Sequence, residues 1–339
     1  MVQLSPVRER VGAQPATVTV EVAGAERWAA AVHASGQRST PFHDHDWLVL
    51  TAGLTGTQFT PLVVVADGVD VGVVPWLERR RGPVATVNAL PFPYAGPLVP
   101  PALTLPTLHA LRRRARRSGV LRYEFGFSPT ADLGPADLAG SGMDVRIDGT
   151  FLLDTSQGVE ALTAALSSSC RRSLRKDEKD GVLVQEATDG RTLDAVLQAA
   201  FGSRGLELGY ADGFPVSPAE WAATGVAVHW MVAVKDGVEL GSLFTVASAE
   251  MAHVWVGGVL PEHRTSRANV TLYWDAIRWA SERGVPTIDL VGIPDEGIRR
   301  FKTQFGGSVH EYPRLSATAP GLDGTRALLG RLRGVLARG

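Results

Sequence analysis

Phe301 and Lys302 stand side by side in the stretch from Val285 to Gly307, VPTIDLVGIPDEGIRRFKTQFGG. The pattern reads as a short buried strand from Thr287 to Val291, a Gly-Pro turn, and a short helix that stops at the Gly306-Gly307 pair, a natural C-cap. A lysine one turn before a helix end, just past a strand's carboxyl edge, lies where α/β proteins place ligands. An ammonium in a desolvated cleft there can neutralise a developing oxyanion, an effect of roughly 3 to 4 kcal/mol where single oxyanion donors have been removed. The plainer reading is a solvated helix-end cation, worth about a few tenths of a kcal/mol against the macrodipole.

A second group of candidates is cationic. The helical stretch from Val159 to Asp180 carries Arg171, Arg172, Arg175, Lys176 and Lys179 in its second half, on adjacent rows that make one basic stripe. Such runs are most often solvated faces, but they also suit phosphates. Other chemistry-bearing types read as structural. His43 and His45 are two apart, so on a helix they point to different faces, and no third metal ligand follows. Cys170 has no activating histidine nearby and reads as a small filler. His229 and His253 alternate with apolar strand residues as core groups do, and Asp289 anchors a strand end. No paired carboxylates and no Ser/His/Asp series stand out, so no general base is assigned.

The chain that must position these residues has 339 residues, enough for about two domains with cores of their own. It is 45% hydrophobic and 20% charged, with a net charge of −1, so any nucleic-acid contact rests on a local basic patch. No apolar run approaches the roughly 20 residues that span a bilayer, and MVQLSPVRERVGAQP has no apolar segment of a secretion signal. The single cysteine fits a reducing cytoplasm.

An internal repeat organises the rest. VADGVDVGVV from Val65 recurs as VKDGVELGSL from Val234, 169 residues on, each an Asp-Gly hairpin. SGVLRYEFG from Ser118 recurs as RGVPTIDLVG from Arg283, 165 residues on. The chain therefore reads as two copies of one α/β (α+β) unit: strand, helices, antiparallel hairpin, helix, strand. The expected domains are 1–149, 150–320 with the active site, and a basic helix over 321–339 that returns to the first domain.

That order resembles the Gcn5-related N-acyltransferase architecture in tandem, two mixed sheets flanked by helices. In its CoA-dependent members the loop before the long helix is Arg/Gln-x-x-Gly-x-Gly/Ala, glycines letting a pyrophosphate reach main-chain N–H groups. Here the matching loop runs from Pro261 to Asn269; Arg264 is in place, but Arg267 and Asn269 stand where glycines belong. The first copy, Pro91 to Pro101, has no such motif.

More specifically, the chain resembles the Fem family of aminoacyl-tRNA-dependent peptidyltransferases. The likeness rests on Phe42-x-x-x-x-Trp47, Gly72 to Pro75, Tyr94-Ala-Gly-Pro97, Arg171-Arg172-Ser-Leu-Arg175-Lys176 with Lys179-Asp-Gly-Val182, Asn269, Ile288-Asp-Leu, and above all Phe301-Lys302-x-x-Phe305-Gly306. The resemblance implies that Lys302, helped by Phe301, stabilises the transition state of amide formation. It implies a charged tRNA as co-substrate, with no other cofactor, and an amine acceptor that is a peptidoglycan precursor or a small peptide natural product. Arg171, Arg172, Arg175, Lys176, Arg264, Arg267 and Asn269 are the candidates for tRNA phosphates; Tyr94, Arg204 and Tyr210 are those for the acceptor. No metal, no DNA and no integral membrane association are expected. The coiled-coil arm of some family members is missing. Two rivals stand beside this reading: an acyl-CoA-dependent N-acyltransferase, and a non-catalytic RNA- or peptide-binding module.

Overall fold

The computed structural model describes residues 17–82, 84–88, 93–202 and 217–318. The first repeat consists of β1 (Val18–Val22), α1 (Ala25–Ala34), α2 (His45–Thr55), β2 (Gln58–Ala66), β3 (Val69–Arg81), β4 (Val84–Val87), α3 (Pro101–Arg117) and β5 (Val120–Gly126). The second opens with β6 (Asp144–Asp154), α4 (Gly158–Ala165), α5 (Ser168–Lys179), β7 (Leu183–Glu186), α6 (Arg191–Gly202) and α7 (Pro218–Ala222). It continues with β8 (Ala227–Lys235), β9 (Val238–Ala247), β10 (Ala252–Val259), α8 (Ala268–Glu282), β11 (Thr287–Asp289), α9 (Glu296–Thr303) and β12 (Ser308–Thr318).

The two hairpins fold alike because their turns are alike. Asp67-Gly68 and Asp236-Gly237 all take positive φ, the geometry of a two-residue turn that follows the strand twist. Each hairpin also carries a register shift at the same place in the repeat, between Val64 and Val65 and between Ala233 and Val234. The repeat thus extends from residue types to backbone irregularities.

The sheets of the repeats merge into one of twelve strands, ordered β1-β2-β3-β4-β5-β12-β6-β11-β10-β9-β8-β7. The halves match strand for strand, each ending in a parallel pair, β4 with β5 and β10 with β11. The sixth strand of each half is exchanged. β6 follows β5 in the chain but pairs with β11, whereas β12 follows β11 but pairs with β5, and the two pair with each other over nine residues. The expected boundary at 149/150 therefore falls inside β6.

A core of rings lies across this seam. Trp28, Phe42, Trp47 and Tyr94 of the first half are buried with Trp221, Trp230, Phe244 and Trp255 of the second. Trp47 meets Trp255 edge-on, with ring centroids 4.9 Å apart. Burying one such ring stabilises the fold by about 1.5–3 kcal/mol.

One long helix was expected from Val159 to Asp180; the structure breaks it into α4 and α5. Leu166 is extended, and the Ser167 hydroxyl accepts from the Cys170 N–H at 3.1 Å, capping a new helix. The expected helix over 321–339 lies outside the described residues.

Candidate active site

β10 and β11 bond across only two residue pairs, Ala252 with Ile288 and His253 with Asp289. β11 then ends, while β10 runs on to Val259 beside β9, with a register shift between Val254 and Val256. Gly257 belongs to this free run because a Cβ there would lie 2.3 Å from the Ser242 carbonyl oxygen. The wedge between the diverging strands is a cleft of about 1060 Å³. Arg264, Asn269 and Tyr273 border it on the β10 side of β11, and Arg146, Asp148 and Arg314 on the β6–β12 side.

In the first half, among the described residues, the chain itself fills the corresponding space. The Gly96 N–H donates to the Gly126 carbonyl at 2.8 Å, at the end of β5. The Asn88 side chain ties this segment down through Leu77 N–H, the Pro75 carbonyl and the Ala95 carbonyl. A cavity of about 20 Å³, bordered by Tyr94, Gly96 and Phe127, remains there.

Lys302 sits at the floor of the large cleft, 3% exposed. Its Nζ donates to the carbonyls of Leu290, Val291 and Gly292 at 2.6, 2.6 and 2.5 Å, which uses all three ammonium hydrogens. The three carbonyls converge because Val291 and Gly292 both take positive φ, 48° and 73°, an uncommon state for a β-branched residue. Burial lowers the Lys302 pKa to about 8, against the opposing charge of Asp289.

Asp289 is also buried, and it joins the halves. It accepts from Tyr94 Oη at 2.6 Å, Thr150 Oγ1 at 2.5 Å and the Val291 N–H at 2.7 Å, with His253 Nδ1 3.4 Å away. Burial pushes its carboxyl up, but the contacts with His253, Thr150 and Tyr94 outweigh this and hold it below the ordinary carboxylate range.

Residues 165–303 match the acetyltransferase (GNAT) domain family. The crystal structure of FemX superposes with a TM-score of 0.59 at 14% identity, covering 87% of this chain and 96% of that one. A tandem GNAT protein from the clavulanic acid biosynthesis pathway gives the same TM-score and identity, with 90% and 99% covered. The chain is a tandem GNAT fold. L-PGS from Bacillus licheniformis shares it at a TM-score of 0.53 and 12% identity, over 96% of this chain and 99% of that one. At these identities the likeness is one of fold, and no curated protein matches the sequence.

Within this tandem GNAT fold the expected residues fall into distinct places. Phe301 borders the cleft, its ring edge-on to Tyr273 at 5.0 Å and to Phe305 at 5.4 Å. Arg264 and Asn269 border the cleft too, and Arg267 precedes the first turn of α8. α5 packs beside α8, with Thr271 donating to the buried Asp177 at 2.6 Å. On α5, Arg172 and Arg175 are exposed. Arg171 is partly spent on the carbonyls of Leu166 and Ala164 at the end of α4, and Lys176 pairs with Asp180 at 2.8 Å. Tyr94 departs from expectation: it is wholly buried with its hydroxyl committed to Asp289, so it supports the cleft floor instead of meeting a ligand there. Arg204 and Tyr210 lie outside the described residues.

The residues read as structural are packed as such. Burial pushes the Cys170 thiol up to about 11, against the Arg171 charge. His229 stacks on Trp279 and meets Asp275 at 2.7 Å. Among the described residues no cluster of metal ligands forms, and no helix is long and apolar enough to cross a membrane. Sequence reading missed Tyr273, whose hydroxyl burial pushes up to about 12, and the pair Arg146 and Arg314. Tyr273, four residues past Asn269, carried a usable signal in its i,i+4 spacing.

Proposed function

We propose that this chain transfers an amino acid from aminoacyl-tRNA to an amine acceptor, forming an amide bond. The observation that carries the reading is the rim of the cleft ahead of α8. Arg267 and Asn269 stand there where glycines belong, so side chains, not bare main chain, face an incoming phosphate. The Ser266 hydroxyl and the Asn269 side-chain oxygen are buried without a hydrogen-bond partner among the described residues. Beside them α5 exposes Arg172 and Arg175. A broad front of guanidinium groups suits an extended polyanion held at several phosphates. The Fem-like fold supports the same reading.

The aminoacyl ester is already activated, so the protein's task is alignment and stabilisation of charge. The acceptor amine attacks the ester carbon, the carbonyl becomes an oxyanion, and the bond to the 3′-oxygen breaks as that oxygen takes up a proton. Because Lys302 has no spare hydrogen in this arrangement, it acts through its charge. Main-chain N–H groups of β10 beyond His253, on the side where β11 is missing, supply direct donors. Phe301 and Tyr273 wall the reacting centre from water.

The test is transfer of radiolabelled amino acids from a charged tRNA pool to a panel of amines. Ribonuclease treatment of the donor abolishes product; product that survives it overturns the reading. An acyl-CoA donor is the second reading, favoured by the acetyltransferase family match and by Arg264 in the position that fits a pyrophosphate loop. Thiol release from acetyl-CoA, in the presence of an amine and without tRNA, would establish it.

A further inference from the structure

On the β6–β12 side of the cleft, Arg314 lies directly opposite Arg146 on the antiparallel ladder. Like charges in that position repel, and the Arg314 side chain is only 12% exposed, which limits screening by water. Asp148 lies between them. It accepts from Arg146 Nε at 2.6 Å and from Arg314 Nε at 2.8 Å. Two guanidinium charges against one carboxylate leave one positive charge facing the cleft.

The surrounding groups do not cancel it. Glu311 also borders the cleft, but it is exposed, where solvent screens its charge, and it forms no ion pair with either arginine among the described residues. Arg299 adds a cation on α9, paired loosely with Glu296 at 3.5 Å. Asp289 is occupied by Tyr94, Thr150 and the Val291 N–H. Each guanidinium has five N–H donors in a planar fork; Arg314 gives its Nε–H to Asp148 and another donor to the Tyr312 hydroxyl, which leaves its remaining N–H groups for a second oxyanion.

We propose that Arg146 and Arg314 form a subsite for an anionic group, a carboxylate or a phosphate, carried by the acceptor substrate. The assignment to the acceptor rests on the acyl-transfer reading above: the basic rim of α5 and α8 lies on the β10 side of β11, the arginine pair lies on the other, and Lys302 stands between. The acceptor is then an amine bearing an acidic group, such as an amino acid, a peptide with a free carboxylate, or a phosphorylated amine.

Binding to the full chain without any donor tests this. Calorimetric titrations compare glycylglycine with glycylglycinamide, and O-phosphoethanolamine with ethanolamine. In at least one pair the acid binds roughly tenfold or more tighter than its neutral partner, and the pair that does so names the group. Arg146→Gln, at the exposed position, reduces the preference, and Arg314→Gln removes it. Asp148→Asn acts in the opposite direction, strengthening binding of the acid, so a failure of Arg314→Gln to fold leaves the proposal exposed to refutation. Equal binding of acid and neutral partners, no binding of either at tens of millimolar, or a preference indifferent to these substitutions overturns it. A clear preference without transfer from charged tRNA leaves the subsite standing and removes the donor reading alone.

Discussion

The ammonium of Lys302 meets three carbonyl oxygens within 2.6 Å, so its position is set by the Leu290–Gly292 turn, and the turn is set by Asp289 through the Val291 N–H. Replacing Lys302 with Met removes the charge and keeps the length. Turnover then falls by about 100-fold or more, the scale of lost electrostatic stabilisation of an oxyanion, with acceptor binding nearly unchanged. Single-turnover kinetics read the two separately, and a variant that turns over at the original rate would sink the catalytic role. The pH dependence has a definite sign. Lys302 titrates at about 8, so its charge is lost as pH rises through that value, while the acceptor amine gains its free pair. The rate therefore descends above about pH 8, and this limb is missing in Lys302→Met. Tyr94→Phe removes one donor from a buried carboxylate and costs about 1–3 kcal/mol in urea denaturation. An unchanged midpoint would mean that the hydroxyl contributes nothing to Asp289.

At the scale of elements, α5 is the piece whose function is most open to measurement. Arg172→Ala and Arg175→Ala each weaken tRNA binding to a similar degree for every tRNA tested, and each lowers the slope of log affinity against log salt by about 1. Filter binding across a salt series reports both quantities, and unchanged slopes would make these residues bystanders. Much of this arrangement was legible in the chain. The Asp-Gly turns and their 169-residue spacing announced the duplication, and Phe301-Lys302 marked the half that kept an open cleft. Other features were not legible, for physical reasons. Strand sequence says which face is buried but not which neighbour will be paired, so the exchange of β6 and β12 was hidden. Arg146 and Arg314 are far apart in the chain and become a pair only through that exchange. The three carbonyls around Lys302 are main-chain atoms, whose convergence depends on φ at Val291 and Gly292 and not on residue type.

At the scale of the molecule, the exchanged strands and the shared ring core tie the two repeats together. β12, from the end of the second half, bonds β5 along Arg122 to Gly126 of the first, so neither sheet is complete without the other's chain. Trp47 of the first half is wholly buried, with its ring 6.2 Å from Trp221 and 4.9 Å from Trp255 of the second. If the halves were merely tethered, each would unfold at its own denaturant concentration, as independent domains do. With the core shared, hydrogen exchange in the β2–β3 hairpin and in the β8–β9 hairpin reports one opening free energy. Trp47→Ala then lowers both by the same amount, about 3–5 kcal/mol, although only one hairpin belongs to the same half as the substitution. Protection lost in β2–β3 and retained in β8–β9 would separate the halves despite the hydrogen bond from Tyr94 to Asp289. Equal losses would make the first half, whose own cleft is filled, a structural determinant of the chemistry in the second.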